Sequence, residues 1–304
     1  MNDLCDELPR TLESAGFLLS MRCPTSLACF DFATRRGDET AVVKIACKSS
    51  SVGADRACEL GWIGSSLSVT PLIVCLNGPG KPMRDDTVYF RCGIPTITPQ
   101  TLKSAVEQGN HPIVEARPGG FYVHLDGEAI EKRRSEMRLS LGELASMIGV
   151  SRRTIYGYER GLAKASVSVA LKLEATFGVP VVRQVNLFKR RPQESGRVVR
   201  GRGWKTPMID VAEKLEQLGY RVASVSMAPF DFVASRSPKE RIIGGIVLKE
   251  GSETRRELTS SIAHVFGCHS LFVAEKPSHD SPGTISKEEF LRIREPEQLK
   301  EALV

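Results

Sequence analysis

Apolar residues recur at helical spacing over residues 8–14 and again over 208–218, and each run ends at a glycine, a common way to stop a helix. Three short runs rich in β-branched and aromatic residues follow each of these helices, separated by polar breaks. A more polar helix is predicted next, over 54–64 and 253–266, and then a fully apolar strand at 71–75 and 270–274, which suits the buried middle of a mixed sheet. The order α-β-β-β-α-β therefore occurs twice, and each copy closes with a helix, over 101–108 and 295–303.

The two copies share residues as well as pattern. Phe30-Asp31-Phe32-Ala33-Thr34-Arg35 is echoed by Phe230-Asp231-Phe232-Val233-Ala234-Ser235-Arg236. Upstream, Leu12-Glu13-Ser14-Ala15-Gly16-Phe17 matches Leu215-Glu216-Gln217-Leu218-Gly219-Tyr220, and downstream Val42-Val43-Lys44 is paired with Val247-Leu248-Lys249. This order resembles the PD-(D/E)XK nuclease-like fold. In active members an acidic residue on one strand and a Glu-x-Lys on the next hold a divalent metal and activate water, because a hard cation wants oxygen ligands. The resemblance puts Asp31 and Asp231 at the first acid and Lys44 and Lys249 at the lysine. Val42 and Val247 stand where the glutamate belongs, so both copies are expected to lack the full ligand set and cleavage is not expected. The alternative role of Asp31 and Asp231 is to cap or orient a strand turn.

Between the copies, the stretch Leu139-Ser140-Leu141-Gly142-Glu143-Leu144-Ala145-Ser146-Met147-Ile148-Gly149-Val150-Ser151-Arg152-Arg153-Thr154-Ile155-Tyr156-Gly157-Tyr158-Glu159-Arg160-Gly161 switches to helical period. Ser140 and Glu143 form an S-x-x-E capping box at a helix start. Leu144, Ala145 and Ile148 make its apolar stripe. Gly149 sits where the turn needs positive φ, Val150 plugs the turn, and Ser151 caps the next helix, whose Ile155 and Tyr158 point inward before Gly161 stops it. Ile130, Arg134, Met137 and Leu139 supply a preceding helix, and Val169, Leu171, Leu173 and Phe177 a following one. Residues 127–179 resemble the lambda-repressor/Cro-like helix-turn-helix family. That family lays the second helix of the motif in the major groove, which implies base-edge contacts from Ser151, Arg152, Arg153 and Tyr156 and phosphate contacts from Arg160, Lys164 and Arg138. Three positions depart from the family pattern: Leu141 replaces the usual Gln, Gly142 weakens a helix start by about 1 kcal/mol relative to Ala, and Gly157 removes a side chain from the reading helix.

Charge supports this placement. Residues 1–124 hold 12 Lys/Arg and 13 Asp/Glu, residues 125–200 hold 15 and 8, and residues 201–304 hold 15 and 15. The net +6 of the chain thus lies in its middle quarter, which is either the footprint of a polyanion-binding module or a solubilising basic face. A chain of 304 residues with 41% apolar and 26% charged residues is an ordinary globular protein, not a low-complexity one. No uncharged apolar run reaches the roughly 18 residues of a membrane span. Asp3, Asp6, Glu7 and Glu13 make the N-terminus unlike a secretory signal, so a cytoplasmic protein is expected. Eight cysteines with no C-x-x-C pair read as reduced core thiols, and neither cofactor nor metal is expected.

The expected architecture is α/β plus all-α: a nuclease-like copy over 1–120, the helix-turn-helix domain over 121–188, a basic linker over 189–205 and a second copy over 206–304. In the linker, Lys189-Arg190-Arg191-Pro192 with Arg197, Arg200 and Arg202 could touch DNA or be a plain connector. The whole arrangement resembles a family of helix-turn-helix transcriptional regulators found in archaea. That resemblance implies a DNA-binding regulator acting on double-stranded DNA as a homodimer, with the flanks supplying dimerisation, DNA contact or sensing. The competing functions are a metal-dependent nuclease using Asp31/Lys44 or Asp231/Lys249, and a protein-interaction scaffold.

Overall fold

A computed structural model of the chain describes residues 2–24, 28–78, 80–189, 206–237, 239–247, 253–275 and 283–303. The first stretch contains α1 (Asn2–Ser14), β1 (Leu18–Leu19), β2 (Phe32–Arg36), β3 (Glu39–Lys48), α2 (Ala54–Leu67) and β4 (Thr70–Asn77). It continues through β5 (Thr87–Arg91), β6 (Ile94–Ile97), α3 (Pro99–Gln108), β7 (Val114–Arg117) and β8 (Gly120–Leu125). The helical centre holds α4 (Gly127–Glu136), α5 (Leu141–Ile148), α6 (Arg152–Glu159), β9 (Ala165–Ser166), α7 (Val167–Phe177) and β10 (Val182–Arg183). The last stretch holds α8 (Thr206–Gln217), β11 (Arg221–Ser224), β12 (Phe232–Ser237), β13 (Glu240–Val247), α9 (Glu253–Phe266), β14 (His269–Ala274), β15 (Thr284–Ser286), α10 (Lys287–Arg292) and α11 (Pro296–Ala302). The basic stretch 190–202 lies outside the described residues, and no described helix is long and apolar enough to cross a membrane.

The chain forms two compact units. One comprises residues 1–74, 92–94 and 188–304, the other residues 75–91 and 95–187. In the first unit, strands run β1-β2-β3-β4 in one segment and β11-β12-β13-β14-β15 in the other. β2 and β3 pair antiparallel with Phe32 opposite Val43, and β12 and β13 pair antiparallel with Phe232 opposite Gly244. β13 and β14 are parallel, which requires a crossover, and α9 provides it. Leu271, Phe272 and Val273 are buried, as a strand flanked on both sides demands. α1 starts at Asn2, well ahead of its apolar pattern.

The second unit is more mixed than the helical motif suggests. Its strands run β6-β5-β7-β8-β10, with β9 also on β8. β7 and β8 form a hairpin closed at Pro118 and Gly119, with Gly119 at φ 92°. Val123, Leu125, Ala165 and Val181 then join Ile130, Leu144, Ile148, Ile155, Leu173 and Phe177 in one core, so the helices close over strand residues rather than over each other alone. Among the cysteines, Cys23, Cys29 and Cys75 are buried, whereas Cys58 and Cys92 are exposed rather than core residues. Burial pushes the Cys23 and Cys29 thiols up to about 12, so both are protonated and unreactive at neutral pH.

Gly244 sets how closely β13 approaches β14: a Cβ there would overlap the Leu271 carbonyl and lie 2.9 Å from Phe232 Cζ. Gly142 is the opposite case, with nothing nearer than Ser140 Oγ at 3.8 Å. Gly244→Ala is expected to cost about 3 kcal/mol in denaturant-unfolding stability by overpacking. Gly142→Ala should raise stability by up to about 1 kcal/mol, by removing glycine from a helix.

Candidate nucleic-acid interface

The helix-turn-helix is built as its residues require. Ser140 Oγ accepts from Glu143 N at 3.2 Å and the Glu143 carboxylate accepts from Ser140 N at 2.7 Å, a closed capping box at the start of α5. Gly149 stops α5 at φ 81°, in the left-handed region where glycine alone pays no Cβ cost. Ser151 caps α6, its Oγ accepting from Thr154 N at 3.0 Å. Ile155, Tyr158 and Glu159 are buried, while Ser151, Arg152, Arg153, Tyr156 and Arg160 are exposed. The Arg160 guanidinium lies 5.8 Å from the Tyr156 ring centroid, so these two share one side of the helix end. Arg138 is exposed in the turn before α5 at φ 54°, held by its N–H donating to Ser135 O at 3.0 Å.

The roll of α6 about its axis is fixed from behind. Arg134 on α4 donates from Nε to Glu159 Oε1 at 2.6 Å and from Nη2 to Oε2 at 3.2 Å, a two-pronged ion pair. The Glu159 side chain is only 4% exposed. Beside it, Gly127 opens α4 against the end of α6, and a Cβ there would overlap the Glu159 carbonyl. Asp126 caps α4 through Ala129 N and pairs with Arg183 at 2.8 Å; that Arg183 hydrogen bond holds its carboxyl below the usual range.

Lys164 follows α6 and is not a free cation. Its Nζ pairs with Glu115, whose side chain is fully buried, and the same carboxylate accepts from Arg117 Nε at 3.3 Å and lies 3.1 Å from His124 Nε2. Glu115 and Arg117 sit on β7 and His124 on β8, so this hub ties the hairpin to the segment leaving α6. Sequence reasoning missed it. The signal was present as Phe121-Tyr122-Val123-His124-Leu125 alternation after Pro118-Gly119-Gly120, a hairpin pattern.

Comparison with known proteins fits this geometry. The description "Helix-turn-helix" matches residues 130–183, and "PD-(D/E)XK superfamily domain" matches residues 1–112. Proteins named "Putative HTH-type transcriptional regulatory protein" resemble the chain over nearly its whole length. That of Natronomonas pharaonis is 32% identical over 304 residues, covering 98% of this chain and 96% of its own. The one from Halobacterium salinarum is 31% identical over 99% of this chain and 96% of its own. The chain belongs to this family of HTH-type transcriptional regulatory proteins. A further member, from Methanoculleus marisnigri, is 36% identical over 75% of each chain. A solved chain in the SinR protein/SinI protein complex aligns at 32% identity over 18% of this chain and 55% of that one, with a TM-score of 0.18.

The PD-(D/E)XK match directs attention to the acidic corners of this family member. Asp31 is buried; Lys44 Nζ lies 3.2 Å from both its oxygens, and Ile45 N donates to Oδ2 at 2.6 Å. Val42, also buried, occupies the place of the second carboxylate. A divalent cation needs several oxygen ligands; here an ammonium takes the cation's place and a hydrocarbon the ligand's. The residues present do not fit a divalent metal, and among the described residues no three of His, Cys, Asp or Glu converge as ligands. In the second segment the pairing Asp231/Lys249 is corrected. Asp31 N donates to Val43 O and Asp231 N to Gly244 O, so Lys44 corresponds to Gly245 and Val42 to Ile243, not to Lys249 and Val247. Lys249 itself lies outside the described residues. Among the described residues the cation beside Asp231 is Arg255 of α9, whose Nη2 donates to Oδ1 at 2.6 Å.

Arg134→Met is expected to cost about 3 kcal/mol of unfolding free energy, since it strands a buried carboxylate, and Arg134→Met with Glu159→Leu should recover most of that loss. A second prediction concerns acid. The hydrogen bond from Ser140 N holds the Glu143 carboxyl below the usual carboxylate range. A depressed folded value means stability that is full above the unfolded value of about 4.3 and lost as pH falls through the folded one. The stability difference between wild type and Glu143→Gln should therefore be present at neutral pH and vanish under acid, measured as paired melting temperatures across a pH series.

Proposed function

We propose that the protein is a sequence-specific DNA-binding transcriptional regulator that lays α6 in the major groove, two chains reading a near-palindromic site. The observation that carries this reading is the division of α6 into two faces. Ile155, Tyr158 and Glu159 are locked inside, while Arg152, Arg153, Tyr156 and Arg160 stand in solvent with no structural task that requires all four. Arg152 and Arg153 open the helix, where side chains reach base edges, and an arginine there can grip guanine O6 and N7 together. Tyr156 lies one turn further on. The Ser151 hydroxyl is committed to its cap, so its contribution to a base contact is secondary. Arg160 and Arg138 meet phosphates. Lys164 can do so only by exchanging Glu115 for a phosphate, which makes it the weakest of the assigned contacts.

The regulator names of the relatives and the basic surplus of residues 125–200 point the same way. We read residues 206–304 as a second nuclease-like copy without a metal centre, on the matched Asp31 and Asp231 hydrogen-bond pattern.

Selection of bound duplexes from a randomised library is expected to return a motif with half-sites about one helical turn apart. Arg152→Ala should relax base preference at one position of each half-site. Arg160→Ala should weaken all sequences alike and lower the salt slope by about one. Recovery of no motif would sink the reading.

A further inference from the structure

The two segments of the first unit hold each other by reciprocal bonds. α2 ends at Ser68 and α9 at Gly267, both in the left-handed region, so Trp62 and Ser261 occupy matching positions six residues before these stops. Trp62 Nε1 donates to Ser224 O in the second segment at 3.1 Å, and Ser261 Oγ accepts from Met21 N in the first at 2.8 Å. Met21 and Ser224 also match, each two residues past the one that pairs with Thr34 or Ala234. Glu59 of α2 accepts from Ser226 N at 2.6 Å, and Cys29 N donates to Met227 O at 2.8 Å. Between the helix ends, the single Arg241 guanidinium donates to both Leu67 O and Phe266 O, the last carbonyls of α2 and α9, where helix dipoles favour a cation.

The loops that make these contacts hang from the acidic corners. In the first segment Cys23 N donates to Asp31 O; in the second Val225 N donates to Asp231 O. Arg255 holds Asp231 and also donates from Nε to Pro229 O at 2.7 Å, where Thr259 Oγ1 donates too, fastening residues 225–231 to α9. Gly245 leaves the room for this: a Cβ there would lie 2.5 Å from Asp231 Oδ2 and 3.4 Å from Arg255 Nη2. One carboxylate–cation pair is thus kept in both segments, supplied by a strand lysine in one and a helix arginine in the other. Two different sources for the same pair indicate that the pair itself is needed, although neither site fits a metal.

We propose that Asp31–Lys44 and Asp231–Arg255 are clamps that seat the loops by which the two segments of one chain pair in cis, so that this face takes the chain's own other half and is closed to a second copy. Arg255 is a positioning residue here, and any contact between two chains falls to surfaces outside this face.

The test uses the full chain with a protease site inserted within residues 190–204, cut after folding. The two pieces should co-elute in size-exclusion chromatography at micromolar concentration. Arg255→Ala and Asp231→Asn should each raise the dissociation constant between the pieces roughly tenfold, the loss of one charge-assisted contact. Pieces that part on cutting while each keeps its circular-dichroism spectrum would overturn cis pairing. An unchanged dissociation constant in Arg255→Ala and Asp231→Asn would overturn the clamp.

Discussion

The outward face of α6 depends on one buried ion pair. Arg134 and Glu159 join α4 to α6 with two hydrogen bonds, and Gly127 lets the two helices meet backbone to backbone at the same point. A helix of eight residues cannot hold its own roll angle; an error of one residue, about 100°, would turn Arg152 and Arg153 from solvent into the core. The hydrocarbon contacts of Ile155 and Tyr158 are non-directional and tolerate some rotation. The forked guanidinium–carboxylate geometry does not, because both prongs must be met to offset the desolvation of the two charges.

The same economy governs the basic surplus. Net charge counts every cation equally, yet several in residues 125–200 are spent internally. Arg133 pairs with Glu136, Arg134 with Glu159, Lys164 with Glu115 and Arg183 with Asp126. Arg160 keeps only a loose approach of 3.9 Å to Glu131, both groups well exposed, an arrangement worth little in water. The outward charge is therefore concentrated on fewer side chains than composition implies, with Arg152 and Arg153 at the start of α6 and Arg160 just past its end.

The acidic corners hold their carboxylates by ion pairing. Asp31 is buried and Asp231 partly so, and a carboxylate taken out of water without a partner is costly. A neighbouring cation removes the cost, and its origin along the chain is immaterial: Lys44 comes from the adjacent strand, Arg255 from the following helix. The likeness of Val247-Leu248-Lys249 to Val42-Val43-Lys44 points to Lys249, whereas the strand register assigns that place to Gly245.

Much of the helical centre was legible in the residues, because its constraints are local. A capping box, a left-handed glycine and a 3.6-residue stripe act within a few residues of one another, so Ser140, Glu143, Gly149, Ser151, Ile155 and Tyr158 each announce their role. The α-β-β-β-α-β order was legible for the same reason, as period and breaks. Apart from β8, whose alternation the residues do carry, the strands of two to five residues in the second unit were not, since so short a run carries almost no periodicity. Partners of charges were not legible either: Glu115 with Lys164 spans 49 positions and Trp62 with Ser224 spans 162, and nothing in one dimension brings them together. Sequence alone determined which residues fall on the outer side of the helix-turn-helix; tertiary structure decided which of their charges stay unpaired in solvent, because burial and ion pairing depend on neighbours that only folding supplies.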